Sequence, residues 1–268
     1  MLKFICLGSG SSGNCYLLWT ERGAIVIDAG LGIKTIQRHL KSLGLDLEVI
    51  RAVLITHDHA DHIKAVGKLG TLHSIPIYAT TLVHQGITRN YCVSPQVKAE
   101  SRRVIETDQS FAIDDFTVTA FPVPHDSTDC VGYHIEACGV TFCLITDAGH
   151  VTDRIKQEVS VANYLVLESN HDKEMLMAGP YPAHLKGRIA SGTGHLSNHE
   201  CGELLANSSS PALRHVWLCH LSEENNHPEL ARKTVDTILR SYGIVAGTDF
   251  QMEVLRRQVP SDIYTLNP

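Results

Sequence analysis

The chain has 268 residues, 19% of them charged and 43% hydrophobic, an ordinary globular mixture with ample length for a sizeable core. Its net charge of −6 excludes a general attraction to polyanions. Any nucleic-acid site must therefore be a local basic patch or must work through metal ions.

In chain order, LKFICL reads as a strand and GSGSSGN (8–14) as a loop. The opening apolar run is too short for a signal peptide, and no later run approaches the ~20 residues that span a bilayer. NCYLLW and AIVID are further strands. Ile33, Ile36, Leu40 and Leu43 have the spacing of one helix face over 32–43. RAVLIT is a buried strand. The stretch from about 103 to 146 reads as a meander of FAID, FTVTAFPV, VGYHIEA and VTFCLIT. YLVLES is a strand, 198–207 a helix, HVWLCH a strand, and 228–242 a helix carrying Leu230, Val235, Ile238 and Leu239. Residues 172–197, with Gly179, Pro180, Pro182, Gly187, Gly192 and Gly194, read as a packed functional loop. No linker or low-complexity tract divides the chain, so a single α/β domain over 1–268 is expected. The eight cysteines form no C-x-x-C pair and read as reduced, largely buried thiols, which fits a cytoplasmic protein with no membrane partner.

The run THDHADH (56–62) puts three histidines and two aspartates into seven residues directly after a strand. Neither packing nor surface solvation needs that density; a metal site does. Three further strand ends carry possible ligands: His125 in PHDS, Asp147 in ITDAG and His220 in CHLS. Several imidazoles with terminal and bridging carboxylates match the needs of two zinc-like ions about 3.5–4 Å apart. Such donors accept zinc, manganese or iron.

These residues, with Asp28 in VIDAG, resemble the metallo-β-lactamase superfamily over nearly the whole chain. The resemblance implies an αββα four-layer sandwich of two mixed β-sheets flanked by helices. It implies that His57, His59 and His125 hold one metal and that Asp61, His62 and His220 hold the other. Asp147 would bridge them, and Asp28 would orient the histidine loop. His134 and His150 compete with His125, which is preferred because it opens a loop after a strand.

Glu168 and His195 resemble the pair of the ribonuclease Z-like phosphodiesterases, in which the histidine protonates the leaving oxygen and the glutamate holds it. Together with Asp61 they form the expected catalytic set. Asp61 in place of a cysteine argues against a secreted antibiotic hydrolase. The strings ESNHD, GPYP, LKGRI, GHLSN and HLSEENNHP are similar to the YycJ/WalJ family, regarded as cytoplasmic 5′ exonucleases on double-stranded DNA linked to mismatch repair. Only 72 residues separate Asp147 from His220, too few for the insertion of the β-CASP nucleases.

The expectation is a dinuclear phosphodiesterase, a 5′-to-3′ exonuclease on DNA with hydroxide generated at the metals as nucleophile. The alternatives are a small-molecule metallohydrolase, such as a thioesterase or cyclic phosphodiesterase, and a metal-binding scaffold without activity. Substrate contacts are expected from Ser9, Ser11 and Ser12 in the glycine-rich loop, from Lys186 and Arg188, and from Ser222 and Asn225. Tyr181 and Pro182 are candidates for stacking on a base. Arg102–Arg103 and Arg256–Arg257 read as surface pairs.

Overall fold

The computed structural model describes residues 1–268. The first half opens with β1 (Leu2–Gly8), β2 (Cys15–Trp19) and β3 (Ala24–Ile27), then α1 (Ile33–Ser42) and β4 (Ile50–Leu54). Next come α2 (Ala60–Ile63), α3 (Val66–Leu72), β5 (Ile77–Ala79), α4 (Thr81–Arg89) and β6 (Arg102–Val104). A meander follows: β7 (Ser110–Ile113), β8 (Phe116–Pro122), β9 (Val131–Ala137) and β10 (Val140–Ile145). The second half alternates α5 (Asp153–Val161), β11 (Tyr164–Glu168), α6 (Lys173–Ala178), α7 (Ala183–Ile189), α8 (Asn198–Ser208), β12 (His215–Cys219), α9 (Pro228–Ser241), β13 (Gln251–Val254) and β14 (Tyr264–Leu266).

These strands form two seven-stranded sheets, ordered β14-β1-β2-β3-β4-β5-β6 and β13-β12-β11-β10-β9-β8-β7. Each is mixed. Antiparallel pairing runs from β14 to β3 and from β7 to β10, and parallel pairing covers the rest. The period of two along each strand sorts side chains between layers. On β1, Leu2, Phe4 and Cys6 enter the core between the sheets, while Ile5 and Leu7 face the helices. On β11, Tyr164 and Val166 point inward and Leu165 and Leu167 point to the second helical layer. Phe4, Phe142 and Trp217 meet at the centre, with ring centroids 4.6–6.5 Å apart. Helices α1, α3 and α4 cover one sheet, and α5, α8 and α9 the other. This is the four-layer αββα sandwich expected from the sequence.

Helix signals explain the outer layers. The Ser197 side chain accepts from the Glu200 N–H and Glu200 returns the bond, a capping box that starts α8. Pro228 opens α9, whose buried stripe of Ala231, Val235 and Leu239 recurs every four residues. The segment 172–197 is not a plain loop. Asp172 caps α6 by accepting from the Met175 N–H, Gly179, Pro180 and Pro182 fall between α6 and α7, and only Gly187 lies inside a helix. Few of its residues are buried, so the periodic apolar pattern that reveals longer helices is missing.

Close backbone packing sets the loop that carries the histidines. Gly30 donates to the Asn14 carbonyl (2.9 Å) and Asn14 donates to the Asp61 carbonyl (2.8 Å). A Cβ at Gly30 would collide with that Asp61 carbonyl. Gly30→Ala is therefore expected to cost about 1–3 kcal/mol of stability and to weaken metal binding. Urea unfolding and metal titration check it; wild-type values in both would show that the loop gives way freely.

Candidate metal centre

The candidate ligands gather because parallel strands of both sheets end at one edge. Asp28 follows β3, His57 lies beyond β4, Asp147 beyond β10, Glu168 ends β11 and His220 follows β12. Three of these ends turn through the left-handed region: Asp28, Asp147 and His220 have φ of 58°, 52° and 54°. A non-glycine residue there is uncommon and costs of the order of 1 kcal/mol or more, so surrounding contacts must hold it. The turn aims each side chain across the edge, which a continuing strand would not do.

Ligand atoms of His57, His59 and His125 lie within 4.8 Å of one another, as do those of Asp61, His62 and His220. Asp147 stands between the two groups. Its Oδ1 is 3.7 Å from His125 Nε2 and 3.4 Å from His220 Nδ1, and its Oδ2 is 3.3 Å from His62 Nε2. His125 is thus the histidine that joins His57 and His59. His134 instead pairs with Glu158 at 2.7 Å, and His150 with the Gly192 carbonyl at 2.6 Å.

Asp28 is wholly buried and makes the supporting contacts. It accepts from the Thr56 N–H (2.9 Å), the Thr56 hydroxyl (2.9 and 3.1 Å) and His62 Nδ1 (2.7 Å). The last bond leaves His62 Nε2 facing Asp61 and Asp147. Asp28→Asn keeps the left-handed turn, which asparagine tolerates, but cannot accept from every donor. It is expected to weaken metal affinity about 10–100-fold with the fold retained. Competition titration with a chelator checks it, and unchanged affinity would remove Asp28 from the site.

The donor set fits divalent metal. His57 Nε2 is buried without a hydrogen-bond partner, and its ring sits 4.6 Å from that of His59 and 5.0 Å from that of His125. Such an orphaned atom costs about 1–3 kcal/mol unless something binds it. Burial, then neighbouring histidines, push the His57 pKa well down, which leaves the neutral imidazole a ligand needs. On the other side burial opposes charge on His62 and His220, but carboxylates win. Asp28, Asp147 and Asp61 raise His62 well above its ordinary value, and Asp147, Asp61 and Glu168 raise His220 to about 10. The pocket demands positive charge, and divalent cations match that demand.

Glu168 belongs to this edge but not to the donor set. Its Oε1 accepts from His195 Nδ1 (2.8 Å) and His220 Nδ1 (3.0 Å). Its Oε2 accepts from the Ala148 and Leu196 N–H groups (2.8 and 3.1 Å). Four donors use up a carboxylate's acceptor capacity, so Glu168 holds the two histidines. Burial alone would raise its pKa, but the charge and hydrogen bond of His195 bring it below the usual range. Burial likewise opposes charge on His195, and Glu168 followed by Asp147 raises it.

The centre opens into a cleft of about 420 Å³ lined by His59, Asp61, Asp147, His195 and His220. Ser11, Ser222 and Arg188 also line it, as does Tyr181. Of the other expected substrate residues, Ser12 is exposed beside Ser11, and Ser9, Lys186 and Asn225 are engaged elsewhere. Ser9 is buried, with its hydroxyl 3.0 Å from Tyr16 Oη and accepting from the His220 N–H at 2.9 Å. Lys186 donates to the Met177 carbonyl (2.7 Å), and Asn225 is buried with its amide 3.3 Å from the Ser222 hydroxyl. Pro182 is exposed at the start of α7.

Sequence reading missed Asn14 and Asn170. Asn14 Nδ2 lies 2.9 Å from His62 Nε2 and 3.3 Å from Asp61 Oδ2, and Asn170 donates to the His220 carbonyl at 2.8 Å. The signals were an asparagine ending the glycine-rich run and one two residues past a buried glutamate.

Comparison with known proteins agrees with this architecture. The family described as beta-lactamase superfamily domain matches residues 24–220. The chain is 32% identical to the exodeoxyribonuclease YycJ of Bacillus anthracis over 98% of both chains. It is 34% identical to the exodeoxyribonuclease WalJ of Streptococcus pneumoniae over 93% of both. The crystal structure of the metallo-beta-lactamase fold protein YhfI from Bacillus subtilis superposes with a TM-score of 0.70 at 18% identity, covering 98% of each chain. With its two mixed sheets, its edge of histidines and aspartates and relatives along nearly its full length, the chain belongs to the metallo-β-lactamase superfamily and is a YycJ/WalJ-like member of it.

Proposed function

We propose that this protein is a dinuclear metal-dependent phosphodiesterase that removes nucleotides from DNA in the 5′-to-3′ direction. The observation that carries the reading is the Glu168–His195 hydrogen bond, 2.8 Å long, beside the Asp147 carboxylate at the floor of an open cleft. Such an oriented acid has use where a poor leaving group departs. A strand's 3′ oxygen is one. The relatives named exodeoxyribonucleases support a nucleic-acid substrate.

In this reading His57, His59 and His125 would hold one metal and Asp61, His62 and His220 the second, with Asp147 within reach of both groups. Bound divalent metal, whether zinc, manganese or iron, would supply Lewis acidity at the phosphate and an acidified water near neutral pH. The residues do the rest. Asp28 fixes the His62 ring. Glu168 accepts the Nδ1 proton of His195, which leaves Nε2 as the atom that gives a proton. Water oxygen adds to phosphorus and releases its proton to solvent, the P–O3′ bond breaks, the His195 proton goes to the departing O3′, and His195 then regains a proton from solvent.

The reading takes residues 1–268 as one domain, since β14 near the C-terminus pairs with β1 near the N-terminus. It places the protein in a reducing cytoplasm, in line with eight free cysteines of which six are buried. No helix is long and apolar enough to cross a membrane. End-labelled linear and circular DNA and RNA, offered to metal-free protein reloaded with each metal, test the reading. Release of nucleotides from the 5′ end of linear DNA is expected. Hydrolysis confined to small thioesters or cyclic phosphodiesters would replace it.

A further inference from the structure

The expected anion-binding residues leave the cleft short of free positive charge. Arg188, the one arginine that lines it, is held by both carboxylate oxygens of Asp126, through Nε and through Nη2 at 3.0 Å. Lys186 is turned to the Met177 carbonyl.

Arg257 supplies what is missing. It is half-buried, and its stem lies across the glycine-rich loop: a Cβ at Gly10 would come within 2.9 Å of Arg257 Cγ. Gly10 has φ of +148°, so the loop needs glycine there for its backbone and for the arginine above it. The Arg257 carbonyl accepts from the Ser9 N–H (3.2 Å). Four residues on, the Ser261 N–H donates to the Cys6 carbonyl (2.9 Å), and the Cys6 N–H donates to the Ser261 hydroxyl (3.0 Å). The arginine therefore rides on a strap fixed to β1. Its Nη1 donates to the Ser222 carbonyl (3.1 Å), and no carboxylate neutralises it. Ser222, whose carbonyl the guanidinium meets, and Ser11, which follows Gly10 in the loop beneath the arginine stem, both line the cleft. Ser11 and Ser12 are exposed, and their N–H groups have no protein acceptor. A guanidinium with spare donors beside open N–H and hydroxyl groups matches a doubly charged phosphate monoester better than a diester.

We propose that Arg257, with Ser11, Ser12 and Ser222, forms the subsite that receives the terminal 5′ phosphate of the DNA strand being cut. The inference rests on the nuclease reading above and deepens it. Its chemistry has a kinetic consequence. Each cut breaks P–O3′ and leaves the phosphate on the shortened strand, so every round creates a new 5′ phosphate. A strand that begins with a 5′ hydroxyl lacks the handle only for its first cut. Wild type should release the first residue of a 5′-phosphorylated duplex at least about tenfold faster than that of a 5′-hydroxyl duplex, as expected for one lost charge-assisted contact. The hydroxyl duplex should then show a lag followed by the faster rate.

The test is single-turnover release of labelled first and second residues from both duplexes, with calorimetric binding of the mononucleotide dAMP to the metal-loaded protein. In Arg257→Ala the tenfold ratio should fall to near one, the lag should vanish, and dAMP should bind about tenfold more weakly. Arg257→Lys should recover part of each. Arg256→Ala, which removes the same charge from the exposed neighbour, should keep the wild-type ratio. A wild-type ratio in Arg257→Ala, or an equal collapse in Arg256→Ala, overturns the subsite. Equal rates on both duplexes in wild type overturn it while leaving the nuclease reading standing. Wild type that cuts neither duplex overturns both.

Discussion

Asp147→Asn is expected, on the two-metal reading proposed above, to lower bound metal from two ions per chain towards one or none and to reduce phosphodiester hydrolysis at least about a thousandfold. The size follows from position. Asp147 is the carboxylate that reaches both ligand groups, with Oδ1 towards His125 and His220 and Oδ2 towards His62. Thr146 donates its hydroxyl to Oδ2 at 2.7 Å, so the carboxylate cannot swing to serve one side only. Asparagine is close to aspartate in shape and tolerates the left-handed backbone at φ of 52°, so the fold should persist. It offers one acceptor oxygen in place of two, and its other terminus is an NH₂ that cannot bind a cation. Elemental analysis, circular dichroism and turnover on the same preparation check the result. Full metal with normal turnover would show that Asp147 touches neither ion. A folded variant with one tightly held metal would show that one of the two groups binds independently of Asp147.

Much of this site could be read from the sequence because metal chemistry uses few residue types and strands end abruptly. RAVLIT followed by THDHADH states both facts within a few residues. What stayed hidden was backbone conformation. Nothing in the strings VIDAG, TDAG or CHLS signals that Asp28, Asp147 and His220 turn left-handed, because the usual marker of that turn is glycine. The neighbours enforce the turn: Thr56 and His62 around Asp28, and Ser9 and Glu168 around His220. The glycine-rich loop was legible as a loop but not in its roles. Ser9 braces the His220 backbone, Asn14 reaches His62 and Asp61, and only Ser11 opens to the cleft. Arg257 resembled an ordinary surface charge because its position over Gly10 depends on a strap formed by chain folding back over β1. Side chains that act through contacts distant along the chain leave no local periodicity to find.

Glu168 and His195 should act as a coupled pair, joined by the 2.8 Å bond from His195 Nδ1 to Glu168 Oε1. If His195 gives the proton to O3′, His195→Ala should lower the rate on ordinary DNA about 10²–10⁴-fold with metal retained. A substrate with an activated aryl leaving group needs almost no acid and should lose little. Glu168→Ala should lose at least as much on DNA, since without the Oε1 acceptor at 2.8 Å the His195 ring is free to turn. Glu168 also receives His220 Nδ1 at 3.0 Å, so its removal should loosen a metal ligand and weaken metal affinity, about 10–100-fold for a supporting contact of this kind. The activated substrate should therefore separate the two roles, falling in Glu168→Ala under limiting metal and recovering when metal is in excess. The double variant should be scarcely worse on DNA than Glu168→Ala alone, because an acid that is no longer held contributes little more by its absence. Rate losses that simply multiply would show that the two residues act independently. A His195→Ala variant that loses as much on the activated substrate as on DNA would show that His195 serves binding or metal and not proton transfer.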